Sequence, residues 1–163
     1  MDAIHYYDSP LGRIVLASEG AALAGLWFEG QKHFPALDGL PCTDRPVFRE
    51  TVEWLDCYFD GHEPDFTPEL APSGTVFRKS VWRILSGIPF GSTMTYGQLE
   101  AALHPGSSGS GIAVRAVAGA VAANPVSIIV PCHRVLGSGG RLTGYAGGLD
   151  RKRKLLLIEG ALR

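Results

Sequence analysis

The first 28 residues alternate short apolar runs with turn residues. Runs rich in Ile, Val, Leu, Ala and aromatic residues occupy positions 4–7, 13–17 and 22–28, with Ser9-Pro10-Leu11-Gly12 and Glu19-Gly20 between them. Strand-forming runs separated by such turn signals predict a small antiparallel sheet. Positions 30–43 show no regular pattern. Asp44 is placed to cap a helix with Pro46 near its first turn. Phe48, Val52, Leu55 and Phe59 then recur at i, i+4, i+7 and i+11, one face of that helix, and Gly61 stops it. Residues 62–74 carry Pro64, Pro68, Pro72 and Gly74 among few apolar positions, a composition that marks a linker. The chain therefore divides into a first domain, 1–74 with its linker at about 62–74, and a second, 75–163.

In the second half the apolar period lengthens. A helix is expected over 75–86, with Phe77, Val81, Ile84 and Leu85 on its buried side and Arg78, Lys79 and Arg83 elsewhere. Thr95 and Gln98 have the spacing of a capping box, which predicts a helix from Tyr96 to about Leu103. A loop of Pro, Gly and Ser follows over 104–111. The next helix, about 112–123, is nearly all Ala, Val and Gly with one charge, Arg115, and Asn124-Pro125 closes it. Helix, turn, helix is a DNA-binding arrangement in outline, although an alanine-rich helix by itself reads as core packing. Residues 126–130 read as a buried strand that Pro131 ends. Residues 137–148 hold six glycines with Arg141 and Tyr145, a mobile hairpin or loop. Asp150 is expected to cap the last helix, with Arg151 to Lys154 in its first turns and Leu155, Leu156 and Ile158 inward. That basic run opposes the helix dipole, so something else must favour it. Glu159, the only acid after Asp150, needs a partner if it is buried.

Composition adds one fact that the pattern lacks. With 45% apolar and 19% charged residues the chain has the balance of a soluble globular protein. Its net charge of −1 conceals a division. Up to Gly74 there are 4 Lys+Arg against 13 Asp+Glu, a net −9; from Thr75 on there are 11 against 3, a net +8. The asymmetry points to a polyanion partner for the second half, with attraction between the halves as the weaker and compatible alternative. No signal-peptide pattern or run of membrane-spanning length is present. Three cysteines, Cys42, Cys57 and Cys132, make an odd number without CxxC spacing. A reducing, cytoplasmic setting follows, with no disulfide framework, no metal and no cofactor.

Cys132 is the candidate nucleophile. It precedes His133 and Arg134, and a nearby cation lowers a thiol pKa from roughly 8.5 toward the reactive thiolate. A lone cysteine beside a histidine is more often plain packing. The surrounding residues reverse that reading. They are NPVSIIVPCHRV at 124–135, GYAGG at 144–148 and LLLIEG at 155–160, with RAV at 115–117, TYG at 95–97, IPFG at 88–91 and GTVF at 74–77 upstream. DSPLG at 8–12 and YFDG at 58–61 extend the match more loosely into the first half. This set resembles the 6-O-alkylguanine-DNA alkyltransferases, the methylated-DNA–protein-cysteine methyltransferases.

The resemblance implies an α+β protein with a ribonuclease H-like first domain and a mostly helical, winged helix-turn-helix second domain. It implies irreversible transfer of an alkyl group from 6-O-alkylguanine in double-stranded DNA to Cys132, one turnover per molecule. His133 would act through a water as base, with Glu159 behind it, Asn124 beside it and Tyr96 donating to the departing guanine oxygen. Adjacent residues on an extended backbone point opposite ways, which favours a bridging water over direct contact. Tyr145, Val135 and Ala146 would line the guanine pocket. Arg115 would enter the duplex where the base has left, and Thr95, Ala116, Arg78 and Ser138 would meet DNA. The partner is DNA carrying alkylated guanine, with no membrane and no metal, and the protein acts as a monomer. Two features depart from the family pattern: the 19 positions from Tyr96 to Arg115, which make the 104–111 loop look inserted, and Ser127 where several relatives have proline. A non-catalytic lesion sensor or regulator is the alternative from another class, and the presence of Cys132 argues against it. A cysteine hydrolase is disfavoured because the sequence offers no separate His with an orienting partner.

Overall fold

The period-two pattern of the first half becomes a three-stranded antiparallel meander of β1 (Ala3–Ser9), β2 (Gly12–Glu19) and β3 (Ala22–Phe28), in that spatial order. The computed structural model describes residues 1–106 and 111–162. β3 is buried along its whole length. A side chain at Gly25 would collide with the Trp27 indole, 1.8 Å from where its Cβ would sit. Helix α1 (Pro46–Phe59) lays Val47, Phe48, Thr51, Trp54, Leu55 and Tyr58 into this core. Its start differs from the expectation. Asp44 does not cap it; Arg45 holds the cap position with no side-chain bond, and the Asp44 carboxylate pairs with Arg49 at 2.5 Å. Pro46, with its fixed φ and no N–H to satisfy, suffices to begin the helix.

The edge of β3 away from β2 is covered rather than left open, which removes a template for edge-to-edge pairing. Part of the proline-rich stretch is held there. Leu23 N–H donates to Glu69 O at 2.7 Å and Ala71 N–H to Leu23 O at 2.8 Å. Further along, Leu26 N–H donates to Pro125 O at 2.9 Å and Ser127 N–H to Leu26 O at 3.0 Å. The chain accordingly divides into two compact units, Met1–Ser73 with Pro125–Ser127, and Gly74–Asn124 with Ile128–Arg163.

In the second unit Thr75 caps α2 (Val76–Ser86), its hydroxyl accepting from Arg78 N–H at 3.1 Å. The buried face of α2 is Val81, Trp82 and Leu85. Phe77, expected there, is 38% exposed; the larger Trp82 ring takes the inward place, and its Nε1–H donates to Ala120 O at 2.8 Å. Helix α3 (Tyr96–Leu103) begins at the expected capping box, with Thr95 Oγ1 accepting from Gln98 N–H and Gln98 Oε1 from Thr95 N–H. Helix α4 (Gly111–Ala122) packs against α2 and α3. Half of the 104–111 loop, the suspected insertion between α3 and α4, lies at 107–110, outside the described residues. A short parallel pair, β4 (Met94–Thr95) with β5 (Val135–Leu136), ties the start of α3 to the chain just after Cys132. Residues 137–148 form no hairpin strands; a 3₁₀ turn at Ser138–Gly140 is closed by Gly137 N–H donating to Arg141 O at 2.8 Å.

Helix α5 (Leu149–Ile158) is capped by Gly148 and not by Asp150. Gly148 has φ 93°, which glycine adopts freely and aspartate does not. Asp150 sits in the first turn and pairs with Lys154 at 2.9 Å. Among the described residues no helix is long and apolar enough to cross a membrane.

Candidate active site

The stretch leading to Cys132 is buried but is not a strand. Only Val126 bridges to β3; Ser127, Ile128 and Ile129 turn, and Ile128 has φ 69°. A β-branched residue at positive φ is strained by about 1–3 kcal/mol. The turn is over-determined by its ends. Ser127 N–H is bonded to β3, and Val130 O accepts from Asn124 Nδ2 at 2.8 Å. Full burial of the Ile128 side chain offsets the strain.

Pro131 (φ −84°, ψ 65°) is the centre of an inverse γ-turn, in which Cys132 N–H donates to Val130 O at 2.8 Å. Cys132–Arg134 then form one 3₁₀ turn, with Arg134 N–H donating to Pro131 O at 3.0 Å. The extended backbone assumed for Cys132 and His133 is therefore corrected. At three residues per turn their side chains still diverge, by about 120°.

The Cys132 side chain is buried, with 6% of the residue exposed. Burial pushes its thiol pKa above the ordinary value, while a hydrogen bond from the Asn124 side chain and the charge of Lys152 oppose the rise. The adjacent guanidinium, expected to activate the thiol, points elsewhere. Tyr96 is near enough that a Cys132 thiolate adds to the effect of burial in raising the tyrosine pKa, so its hydroxyl remains a donor. A Cβ on Gly144 would lie 3.5 Å from Tyr96 Oη, which places the residue 144 backbone against that hydroxyl.

His133 is fully buried and meets Glu159 through Nε2, 2.5 Å from Oε2. This leaves Nδ1 as the ring nitrogen not bound to the carboxylate. Burial lowers the His133 pKa; Glu159 opposes that shift, and Arg134 and Lys152 add to it. The other carboxylate oxygen, Oε1, accepts from Arg134 Nε at 2.8 Å and from Gly91 N–H at 3.0 Å. Arg134 Nη1 also donates to Ile88 O at 2.6 Å. The carboxylate thus joins the 3₁₀ turn to the 88–91 turn.

Lys152, on α5, is fully buried, and among the described residues its ammonium meets carbonyls rather than a carboxylate. Its ammonium donates to Val135 O at 2.5 Å, Thr143 O at 2.6 Å and Gly144 O at 3.1 Å. Burial lowers its pKa to about 8, with the Cys132 charge opposing. Tyr145, half-buried, sets its ring edge-on to His133 at 6.5 Å. Val135 is buried and Ala146 half-buried. The structure therefore gathers Cys132, His133, Glu159, Asn124, Tyr96, Tyr145 and Val135 around one turn.

The residues expected on DNA are more dispersed. On α4, Val117, Ala120 and Val121 pack inward, whereas Arg115, Ala116 and Gly119 are exposed. The outward surface of that helix therefore carries small side chains and one cation. Arg78 is exposed on α2 and Ser138 on the 3₁₀ turn after β5; among the described residues their contacts do not join the Cys132 cluster. Thr95 has its hydroxyl committed to the helix cap.

Two residues take partners that the sequence does not indicate: Arg134, expected to act on the thiol, meets Glu159, and Lys152, one of a basic run, is buried on three carbonyls. Lys152, Leu155, Leu156 and Glu159 stand at i, i+3, i+4 and i+7, so one inward face was written in the sequence. No metal-holding group of three or more His, Cys, Asp or Glu side chains occurs among the described residues.

Comparison with known proteins places this geometry. Residues 76–161 match the family model described as "6-O-methylguanine DNA methyltransferase, DNA binding domain". Residues 3–72 match its "ribonuclease-like domain". The methylated-DNA–protein-cysteine methyltransferase of Methanosarcina acetivorans is 44% identical over 156 residues, covering 95% of this chain and 96% of that protein. That of Mycobacterium leprae is 44% identical over 153 residues, 93% and 88% of the two chains. The crystal structure of the Mycobacterium tuberculosis O6-methylguanine methyltransferase superposes with a TM-score of 0.84 at 40% identity, covering 99% of this chain and 94% of that one. A structure of the M. tuberculosis protein in complex with DNA gives the same score and identity over 98% and 93%. The chain belongs to the 6-O-methylguanine DNA methyltransferase family, the methylated-DNA–protein-cysteine methyltransferases.

Proposed function

We propose that this protein repairs double-stranded DNA by moving the alkyl group of 6-O-alkylguanine onto Cys132, once per molecule, as a monomer. The observation that carries the reading is the grouping of the Cys132 thiol with Asn124 and Tyr96, next to a His133 held by Glu159. The target carbon lies inside the base stack, so the nucleotide rotates out at a cost of a few kcal/mol, least for a damaged pair. Arg115, exposed on the small-residue surface of α4, takes the place of the lost base. Tyr145, Val135 and Ala146 receive the guanine, and Thr95, Ala116, Arg78 and Ser138 contact the duplex.

The thiol proton passes through a water to His133 Nδ1, and Glu159 stabilises the imidazolium. The sulfur lone pair forms the S–C bond as the C–O6 bond breaks. That electron pair goes to guanine O6, where the Tyr96 hydroxyl donates. Because burial raises the pKa of the free thiol, the proton leaves only when a base takes it. The thioether product has no route back, so each molecule is spent.

Incubation with duplex DNA containing 6-O-methylguanine should add one methyl mass to the peptide bearing Cys132, saturating near one per protein. Cys132→Ser should bind the duplex as before and take up nothing. Many turnovers per molecule, or a methyl group on another residue, would contradict the proposal.

A further inference from the structure

The Glu159 carboxylate receives more than the histidine it orients. Its side chain is fully buried, with Oε2 on His133 and Oε1 on both Arg134 Nε and Gly91 N–H. Burial, the largest influence on His133, lowers its pKa, while Glu159 opposes that shift by its hydrogen bond and its charge. A histidine already protonated cannot accept a proton from a thiol. A cation that shares the carboxylate therefore adds to the effect of burial in keeping the imidazole neutral.

We propose that Arg134 is a positioning residue for the transfer reaction, which holds Glu159 in place and offsets its charge so that His133 stays neutral and ready to accept the Cys132 proton. The geometry supports this directly. Arg134 is bonded at both ends, Nε to the carboxylate at 2.8 Å and Nη1 to Ile88 O at 2.6 Å, so its charge is fixed in position. A guanidinium does not deprotonate in proteins, which makes it a constant counterweight.

Among the described residues the charged and titratable groups around His133 are few, and α2, which also packs against its turn, leaves Arg78, Lys79 and Arg83 exposed. Glu159 and Lys152 come from α5 and its end, Cys132 and Arg134 from its own turn, Tyr145 from the following loop, and Tyr96 beside Cys132 from α3. The turn at 88–91 brings no titratable side chain of its own. Of the two cations, Lys152 is spent on three backbone carbonyls, and only Arg134 shares the carboxylate. The direction agrees, since Arg134 acts to lower the His133 pKa.

This inference rests on His133 being the base of the proposed reaction, so its test is separable from that reaction. Ring-nitrogen NMR of the whole chain, free of DNA, titrates His133 in the wild type, Arg134→Gln and Arg134→Lys. Arg134→Gln should raise the midpoint by about 1 pH unit, since a like charge has been removed, and Arg134→Lys should restore it. Single-turnover methyl transfer should then fall by up to about fivefold at pH 6.5 in Arg134→Gln, and far less at pH 8. A merely structural role would slow transfer equally at every pH. An unchanged midpoint, or an imidazole that stays neutral in all three proteins until they unfold, overturns the proposal. If Arg134→Gln does not fold, Arg134→Lys decides: a wild-type midpoint with weakened stability supports the charge argument, and a shifted midpoint overturns it. A wild type that titrates as expected but takes up no methyl group defeats the repair reading and leaves the Arg134 assignment standing.

Discussion

The two units bury different chemistry. In the first, the described buried polar side chains are Ser18, Gln31, Thr51 and Ser127, none of them ionisable, set among Ile14, Leu16, Leu26, Phe28, Phe48 and Leu55. The second buries Glu100, Asn124, His133, Arg134, Lys152 and Glu159. An apolar interior is stabilised by area removed from water and tolerates loss of a contact gradually. A charged interior is stable only while every member keeps its partner, because the desolvation cost of an orphaned charge is several kcal/mol. The contrast shows where the sequence accepts a stability risk for the sake of chemistry.

The sharpest way to break this contrast is to remove the shared carboxylate. Glu159→Ala leaves His133 and Arg134 without it and should cost about 3–5 kcal/mol. Leu55→Ala in the first unit should cost a similar 2–5 kcal/mol by roughly the cavity rule, yet leave the surviving folded fraction able to take up methyl. Denaturant unfolding combined with methyl uptake separates the two; a Glu159→Ala protein within about 1 kcal/mol of wild type would dissolve the distinction.

A smaller effect should follow at Lys152. Lys152→Met strands the carbonyls of Val135, Thr143 and Gly144 while relieving a buried ammonium, for a net loss of about 1–3 kcal/mol. Amide exchange around 143–146 should accelerate while that in β2 and β3 stays as it was. Equal protection in the two proteins would show that the ammonium does not fasten this loop.

The smallest difference concerns how helices begin. Thr95→Ala removes the hydroxyl half of the α3 capping box, leaving the residue 95 N–H on Gln98 Oε1, and should cost about 1 kcal/mol. Arg45→Ala at the start of α1, where no side chain caps, should change stability by less than about 0.5 kcal/mol. Equal costs in a denaturant series would mean that the box contributes nothing.

Much of this was legible in the residues because local rules decided it. The β1–β3 meander, the Phe48 and Leu55 positions of the α1 face (though Val52 and Phe59 are only half-buried) and the start of α3 follow from period, turn chemistry and the Thr95/Gln98 pair. What escaped was decided by distant partners. Residues 126–130 are apolar except for Ser127, so nothing local separates a strand from a turn fastened by Asn124 at one end and Leu26 at the other. Asp150 lost the cap to Gly148 because the backbone arrives there at positive φ. Adjacency assigns Arg134 to the thiol, whereas the 3₁₀ turn sends it to Glu159. Lys152 was hidden in a run of four cations whose other members belong to the helix surface or its ends.

The three residues Pro125–Ser127 carry a practical consequence. They hydrogen-bond to Leu26, some hundred positions earlier, while Asn124 before them and Ile128 after them belong to the other unit. Severing the gene at residue 74 would thus not yield two finished halves. The N-terminal fragment would bare a length of sheet edge, and the C-terminal one would lose the anchor just upstream of Cys132.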